Sequence, residues 1–600
     1  MKKTKLLFGA LAMLAFTGCS DDKNAGAPDQ TLNDGTESYI TIRIQDAHSL
    51  IGGRAGETFE NGANDVSDGT SIYEESKIKS LVIAFFDANK NFITYSSSAT
   101  PLDFGPTETT GANIETNQEV KVTLTLTPEQ ALPAYAIAFA NPIEDKPALS
   151  NVTSTQNRQR LAWGTSNDNV YSFAMNNTVY FNNSGEMQLA VPVSSNNFYK
   201  GDDDSEADAV DFYIERVAGK VVLTGNGSNG ALTEKSDSKT VNDGTQTGST
   251  KYVVFVPEKW GLNAEEKSTY LMKYFTQPYT TLNTNLNWGE NRLWNDITNK
   301  RCYWAHSVTW GESSFPDVSD DVTSDDAYKL KYHSFKYIST NGVAFGKPQY
   351  TLENTKQQSA YSKNSALVSA VVIGHYELRD EAGTAVTPAS GEVLFYRRNG
   401  ELFTPDGFMS KMAATQNMIG TVTTTDSKET FTALTAEQLK QLVTVYHPNT
   451  NSLGGKVKEN LVSIKLKDGA DLSSYKIRLG EGDYKELSAS GKSVADINSY
   501  LLSVCGLTEA YTEGKAYFNI PVEHLGRELE GGTKSAGFYG VVRNHTYEIS
   551  ISGWAPTAFG NGVFDEDKPI VPDTSTDEYN FKANFKVHAW RVVSKTVTLK

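Results

Sequence analysis

Along much of this chain apolar and polar residues alternate one by one. Ile40, Ile42 and Ile44 are separated by Thr41 and Arg43, and Val120, Val122, Leu124 and Leu126 by Lys121, Thr123 and Thr125. A period of two places the apolar side chains on one face of an extended backbone, so both segments predict half-buried β-strands. Leu81–Phe86 and Val253–Val256 are short unbroken apolar runs, which predict strands covered on both faces. Asp87–Asn91 supply turn residues before Phe92 and Ile93 resume the strand pattern. Helix signals are few. The clearest begins at Thr435, which has capping-box spacing to Gln438, while Leu434 and Leu439 form a hydrophobic staple. Residues 153–163 read as a second short helix.

Polar, glycine-rich stretches punctuate these elements. Residues 20–37 read as a tether, 200–208 and 311–326 as exposed loops, and 226–250, almost free of apolar residues, as a domain boundary. No repeat of 20–50 residues is present, which excludes a solenoid or propeller. The expected fold is mainly β: two β-sandwich domains, residues 55–227 and a larger 228–600, with a few short helices.

The ends add a compartment. Lys2, Lys3 and Lys5 precede an apolar run, Leu6–Phe16, too short to span a bilayer and of the length of a signal-peptide core. Thr17 and Gly18 then lead into Cys19, the small-small-Cys pattern of a lipoprotein signal, with Cys19 the acylated residue and 1–19 the signal peptide. An ordinary secretory signal with an incidental cysteine is the alternative. Cys302 and Cys505 remain; they can pair in an oxidising compartment or stay as two buried thiols. The net charge is −17, and loss of residues 1–54 removes six basic and six acidic side chains, leaving it unchanged. Such a chain is not built for nucleic acid or an anionic membrane surface.

The chemistry expected of an enzyme is not found. The eight histidines are dispersed, and no H-E-x-x-H, G-x-S-x-G, Walker A or G-x-G-x-x-G pattern occurs. No catalytic residue, cofactor site or metal site is assigned. Asp87, Asn89 and Asn91 begin like a calcium loop, but Phe92 stands where glycine is needed and Ser98 where a bidentate glutamate is needed, so a hairpin turn is expected. Asp202, Asp203, Asp204, Glu206 and Asp208 read as a solvated charge run. Tyr303 and Trp304 fit a carbohydrate surface or, more commonly, a sandwich core.

The carboxy terminus is unusual. From Phe581 to Leu599 eight of ten odd positions are apolar, and the pattern runs into the last residues. Chain ends are ordinarily frayed and polar, so this strand needs a groove. At the other end, Arg54 lies between Gly53 and Ala55-Gly56, just after the Ile40–Ile44 strand. Cleavage between Arg54 and Ala55 by a trypsin-like protease would remove residues 20–54, including the strand of Ile40, Ile42 and Ile44. The groove so opened would accept a carboxy-terminal strand from another copy, with Val593, Val597 and Leu599 as the crossing residues. On the alternative reading Arg54 is an ordinary loop arginine and the first strand is permanent.

Six stretches carry a resemblance to a known family: Tyr135–Pro142 (YAIAFANP), Ile214–Val221 (IERVAGKV), Arg301–Ala305 (RCYWA), Tyr350–Thr355 (YTLENT), Lys515–Leu525 (KAYFNIPVEHL) and Val541–Ile551 (VVRNHTYEISI). In this order, and with the lipoprotein signal, they resemble the type V fimbrillins of Bacteroidales, in particular the major-subunit group of the minor fimbrium. The resemblance implies transthyretin-like sandwiches and export as an outer-membrane lipoprotein. It also implies cleavage after an arginine by an extracellular trypsin-like protease, which Arg54 fits better than Arg43 inside the strand. Polymerisation by strand exchange into a shaft, with anchor and tip proteins as partners and adhesion and biofilm formation as roles, would follow. A competing expectation is a monomeric surface glycan-binding lipoprotein that keeps its lipid; a secreted hydrolase is a third.

Overall fold

The computed structural model describes residues 32–46, 80–96, 118–141, 146–157, 159–161, 173–181, 187–201, 207–225, 231–244, 250–274, 304–317, 320, 322, 329–386, 388–451, 453–478, 484–486, 493–524, 531–554, 559–572 and 581–589. These are mainly β, in several sheets with few helices.

The first sheet uses β1 (Glu37–Asp46), β2 (Leu81–Phe86), β3 (Phe92–Tyr95), β4 (Gln118–Thr125), β5 (Tyr135–Ala140), β6 (Met175–Asn177), β7 (Phe198–Tyr199) and β8 (Val210–Arg216). Its order is β7-β1-β8-β6-β5-β2-β3, with β4 laid along the other side of β1. The unbroken apolar run of β2 is explained by two cores. Leu81, Ile83 and Phe85 face one containing Ile40, Ile42, Leu124 and Phe212. Ala84 and Phe86 face another, with Ile137, Phe139, Trp304 and Val542. At the β2–β3 hairpin the Asp87 carboxylate accepts from the backbone N–H of Asn89 and of Asn91, both at 2.8 Å. Those bonds make the expected hairpin turn and occupy the carboxylate that a calcium loop would need.

After Val217 the chain changes sheets. β9 (Ala218–Thr224) lies between β10 (Pro348–Leu352), antiparallel, and β11 (His545–Trp554), parallel, and β12 (Phe581–Ala589) closes the far edge against β11. Gly219 sits where a Cβ would fall 2.3 Å from Val541 Cγ1, so only glycine permits this approach. An eleven-stranded sheet is centred on Thr250–Asn263, Ser369–Arg379 and Lys515–Pro521. The polar stretch 226–250 contains one of its strands, Lys235–Asn242, paired antiparallel with Thr250–Asn263.

The capping box at Thr435 is formed: its hydroxyl accepts from Gln438 N–H, and a helix runs over Ala436–Leu442 with Leu439 and Leu442 buried. The helix expected over 153–163 is a single turn, Ser154–Asn157, followed by a strand, Gln159–Leu161, that pairs with Ser268–Tyr270. Ladder pairing to a segment a hundred residues away outweighed local propensity there. The longer helices, Pro405–Thr415 and Val494–Cys505, were not foreseen. The loop read as exposed at 311–326 buries Phe315 against Leu330 and Tyr332.

Candidate functional site

The first strand is held along both of its edges. β1 pairs antiparallel with β4 over eight positions, Glu37–Ile44, and on its other side antiparallel with β7 at Tyr39 and Ile40 and parallel with β8 over Ile42–Asp46. Among the described residues β4 has no ladder partner other than β1. Ser38, Ile40 and Ile42 point inward with 0% exposure, beneath Leu124, Phe198 and Phe212. Ile44 is placed by register opposite Gln118 and Phe212. Burying an isoleucine in full contributes roughly 1.5–3 kcal/mol, so β1 is a substantial part of this core.

The outward face and leading end of β1 are also held. Thr41 Oγ1 lies 3.1 Å from Tyr199 Oη, and the Lys121 ammonium sits 3.9 Å above the Tyr39 ring. Just upstream, Leu32 is buried, Gly35 N–H donates to Leu126 O at 2.9 Å, and Asn33 Nδ2 donates to Pro128 O at 3.3 Å. Asp34 pairs with Lys200 and accepts from Thr36, and these contacts hold its carboxyl well below the usual carboxylate range. Every one of these contacts is made by a residue on the amino-terminal side of Arg54.

Cys19, Arg54, Ala55, Cys302, Tyr303, the Asp202–Glu206 run and Val593, Val597 and Leu599 lie outside the described residues. Of the carboxy-terminal alternation, Phe581–Ala589 is described as β12, the edge strand on β11. Its last residue, Ala589, is opposite His545, beside the junction where Asn544 N–H donates to Ala218 O.

Trp304 apart, that junction holds residues the sequence did not single out one by one. Three ion pairs are buried there: Lys273–Glu215 at 2.7 Å, Arg543–Glu353 at 2.6 Å and Lys356–Glu266 at 2.9 Å. Arg543 also donates to the carbonyls of Tyr270 and Leu271 and so ties that strap to β11. Trp304 packs on Trp310 and His524, in a core rather than on a surface. Tyr547 Oη lies 2.9 Å from His524 Nδ1 and accepts from Val542 N–H. All six stretches that carry the family resemblance contribute here: Phe139, Glu215, Trp304, Glu353, His524 and Arg543 come from one each.

The geometry offers no poised acid, base or nucleophile at these places. Burial lowers His306 to about 4 and His524 to about 3, so both are neutral, and burial pushes the Cys505 thiol up to about 11. Among the described residues no three His, Cys, Asp or Glu side chains gather as metal ligands.

Residues 509–596 match the family model for the major fimbrial subunit protein type IV, fimbrillin, C-terminal. No curated protein sequence matches the chain. Among solved structures, a fimbrilin from Porphyromonas gingivalis W83 aligns over 93% of this chain and 98% of its own, with 12% identity and a TM-score of 0.37. A carboxy-terminally truncated tip fimbrial protein from Porphyromonas gingivalis aligns over 92% and 100%, with 10% identity and a TM-score of 0.29. At such scores the likenesses carry no functional weight. The match over residues 509–596 takes in β11 and β12, so it is the carboxy-terminal part of this chain that is similar to the fimbrillin family.

Proposed function

We propose that the protein is the structural shaft subunit of a cell-surface fimbria, delivered as a lipoprotein acylated at Cys19, cleaved between Arg54 and Ala55, and polymerised by donor-strand exchange. The observation that carries this reading is the position of β1. It is an interior strand of its sheet and the ladder partner of β4, yet it lies wholly upstream of a glycine-flanked arginine. Cleavage makes it a separate peptide held by non-covalent contacts alone. Among the described residues its departure leaves β4 without a ladder partner and empties the places of Ile40 and Ile42, which another strand of alternating pattern can fill. The carboxy-terminal segment containing Val593, Val597 and Leu599 has that pattern and follows an edge strand. On this reading the partners are further copies of the chain, anchor and tip proteins, and an extracellular trypsin-like protease, and the fibre supports adhesion and biofilm formation. Arg54→Ala should leave full-length lipid-anchored protein at the outer membrane and no fibres. Normal fibres from that variant, with Arg43 also intact as a sequence but uncut, would sink the proposal.

A further inference from the structure

Residues Thr596-Val597-Thr598-Leu599-Lys600 repeat the chemistry of Tyr39-Ile40-Thr41-Ile42-Arg43: a branched apolar residue, threonine, a second branched apolar residue, then a cation. Resting on the donor-strand reading above, we infer that the tail of a second copy enters the β1 groove in this one register and in the direction of β1, with Tyr199 reading Thr598.

Each position has a physical reason. In this register Val597 takes the place of Ile40, between Val122 and Phe198, and Leu599 that of Ile42, between Val120 and Val210. Both places are fully buried and lined by apolar neighbours. Thr598 takes the outward place of Thr41, whose hydroxyl lies 3.1 Å from Tyr199 Oη, so the same hydrogen bond can re-form. Lys600 takes the place of Arg43, whose register partners are Glu119 on β4 and Asp211 on β8. A cation between two carboxylate-bearing strands is favoured there. β4 carries the same alternation at Val122-Thr123-Leu124, but Thr125 follows it, so the terminal cation is what β1 and the tail share.

Charge also selects the direction. A reversed tail would still put Thr598 opposite Lys121, with Leu599 and Val597 inward. Lys600 would then occupy the place of Tyr39, over which the Lys121 ammonium now lies at 3.9 Å, with Lys200 on the adjacent strand end. Like charges so placed repel, whereas the forward direction separates them. Lys595 falls at Ser38 in the forward register. Ser38 is fully buried, but the buried Leu32 and the Asp34–Lys200 pair, six and four residues upstream of it, leave in the same cleaved fragment, and the forward register requires the lysine stem to reach solvent through the space they vacate.

Disulfide trapping in polymers taken from cells tests this. Thr596 should lie opposite Thr123, so the Thr596→Cys, Thr123→Cys chain should give an oxidised ladder of covalent multimers. The Thr596→Cys, Glu119→Cys chain should give none. The opposite pattern means a reversed strand, and normal polymers with neither cross-link mean another register; either overturns the inference while leaving strand exchange intact. Polymers that form after deletion of residues 593–600 would instead overturn strand exchange itself. As an independent arm, Lys600→Glu should lower assembly at least tenfold, and Glu119→Lys should restore a large part of it. Equal assembly by Lys600→Glu and the parent would refute the role of the cation.

Discussion

The most informative single perturbation is to loosen β1 without altering the cleavage site. Ile40→Ala with Ile42→Ala removes two fully buried side chains from one face of the strand and leaves its fifteen register pairings formally possible. Each isoleucine-to-alanine change in a core costs about 2–5 kcal/mol. Because the two sites are neighbours on one face, their effects couple, and a combined loss of about 4–8 kcal/mol is the reasonable expectation. Before cleavage the loss should show as local opening. Amide exchange in residues 118–125 should quicken, because β4 has β1 as its ladder partner, while exchange in Lys515–Pro521, in another sheet, should not change. After cleavage between Arg54 and Ala55 the amino-terminal fragment should dissociate faster. If only 4 kcal/mol of the loss is already felt in the transition state for release, the rate rises about a thousandfold at about 1.4 kcal/mol per decade. Release can be followed with a labelled peptide of residues 593–600 in excess as the incoming strand. On the proposed cleavage the mature subunit would lack residue 40 and residue 42, so once assembled the variant polymer should be as stable as the parent. Exchange in 118–125 unchanged within twofold, together with an unchanged release rate, would refute the view that these two side chains hold the strand.

Three further outcomes are expected. Deleting residues 593–600 should give a folded, cleaved, soluble monomer by size-exclusion chromatography, and Val597→Asp or Leu599→Asp should weaken assembly by burying an unpaired charge. Arg543→Met leaves Glu353 buried without its cation and should cost about 3–5 kcal/mol in denaturant unfolding, whereas Arg543→Met with Glu353→Met should recover much of it. His306 is buried against Trp310 with its basicity depressed to about 4, so the unfolded chain binds the proton more readily. Its contribution is complete above about pH 6.5 and falls away towards pH 4, at most about 1.4 kcal/mol per pH unit. His306→Phe should flatten the acid limb of the stability profile between those values, and an unchanged slope would show that the histidine is not desolvated.

Much of the local structure was legible because it depends on near neighbours. The alternation around Ile40 and Val120, the double-faced run of Leu81–Phe86, the Asp87 turn and the Thr435 capping box need only a few adjacent residues to specify them. The helix Pro405–Thr415 carries its own signal in Thr404 as N-cap and proline at its first position, and Val494–Cys505 in Ser493 and Asp496, but these are short signals in a chain dominated by strand periodicity. Arg54, Cys19 and the residues beyond Ala589 stand out by sequence pattern alone.

What the sequence by itself determined is that segments such as Glu37–Asp46, Leu81–Phe86 and Gln118–Thr125 are strands, which of their faces are apolar, and that both ends carry strand patterns where tails are usual. Partnership was decided by tertiary structure. Alternation cannot say that Ile40 lies beside Val122 on one side and Phe198 on the other, because those neighbours are 82 and 158 residues away, and a ladder accepts any strand of matching face. Nor could it pair Glu353 with Arg543 or Glu215 with Lys273, since a lone charge in an apolar stretch reads as surface until its counter-ion is brought to it. The same indifference of backbone pairing to sequence distance is what the proposed exchange relies on, in which a strand from another copy takes the place of β1.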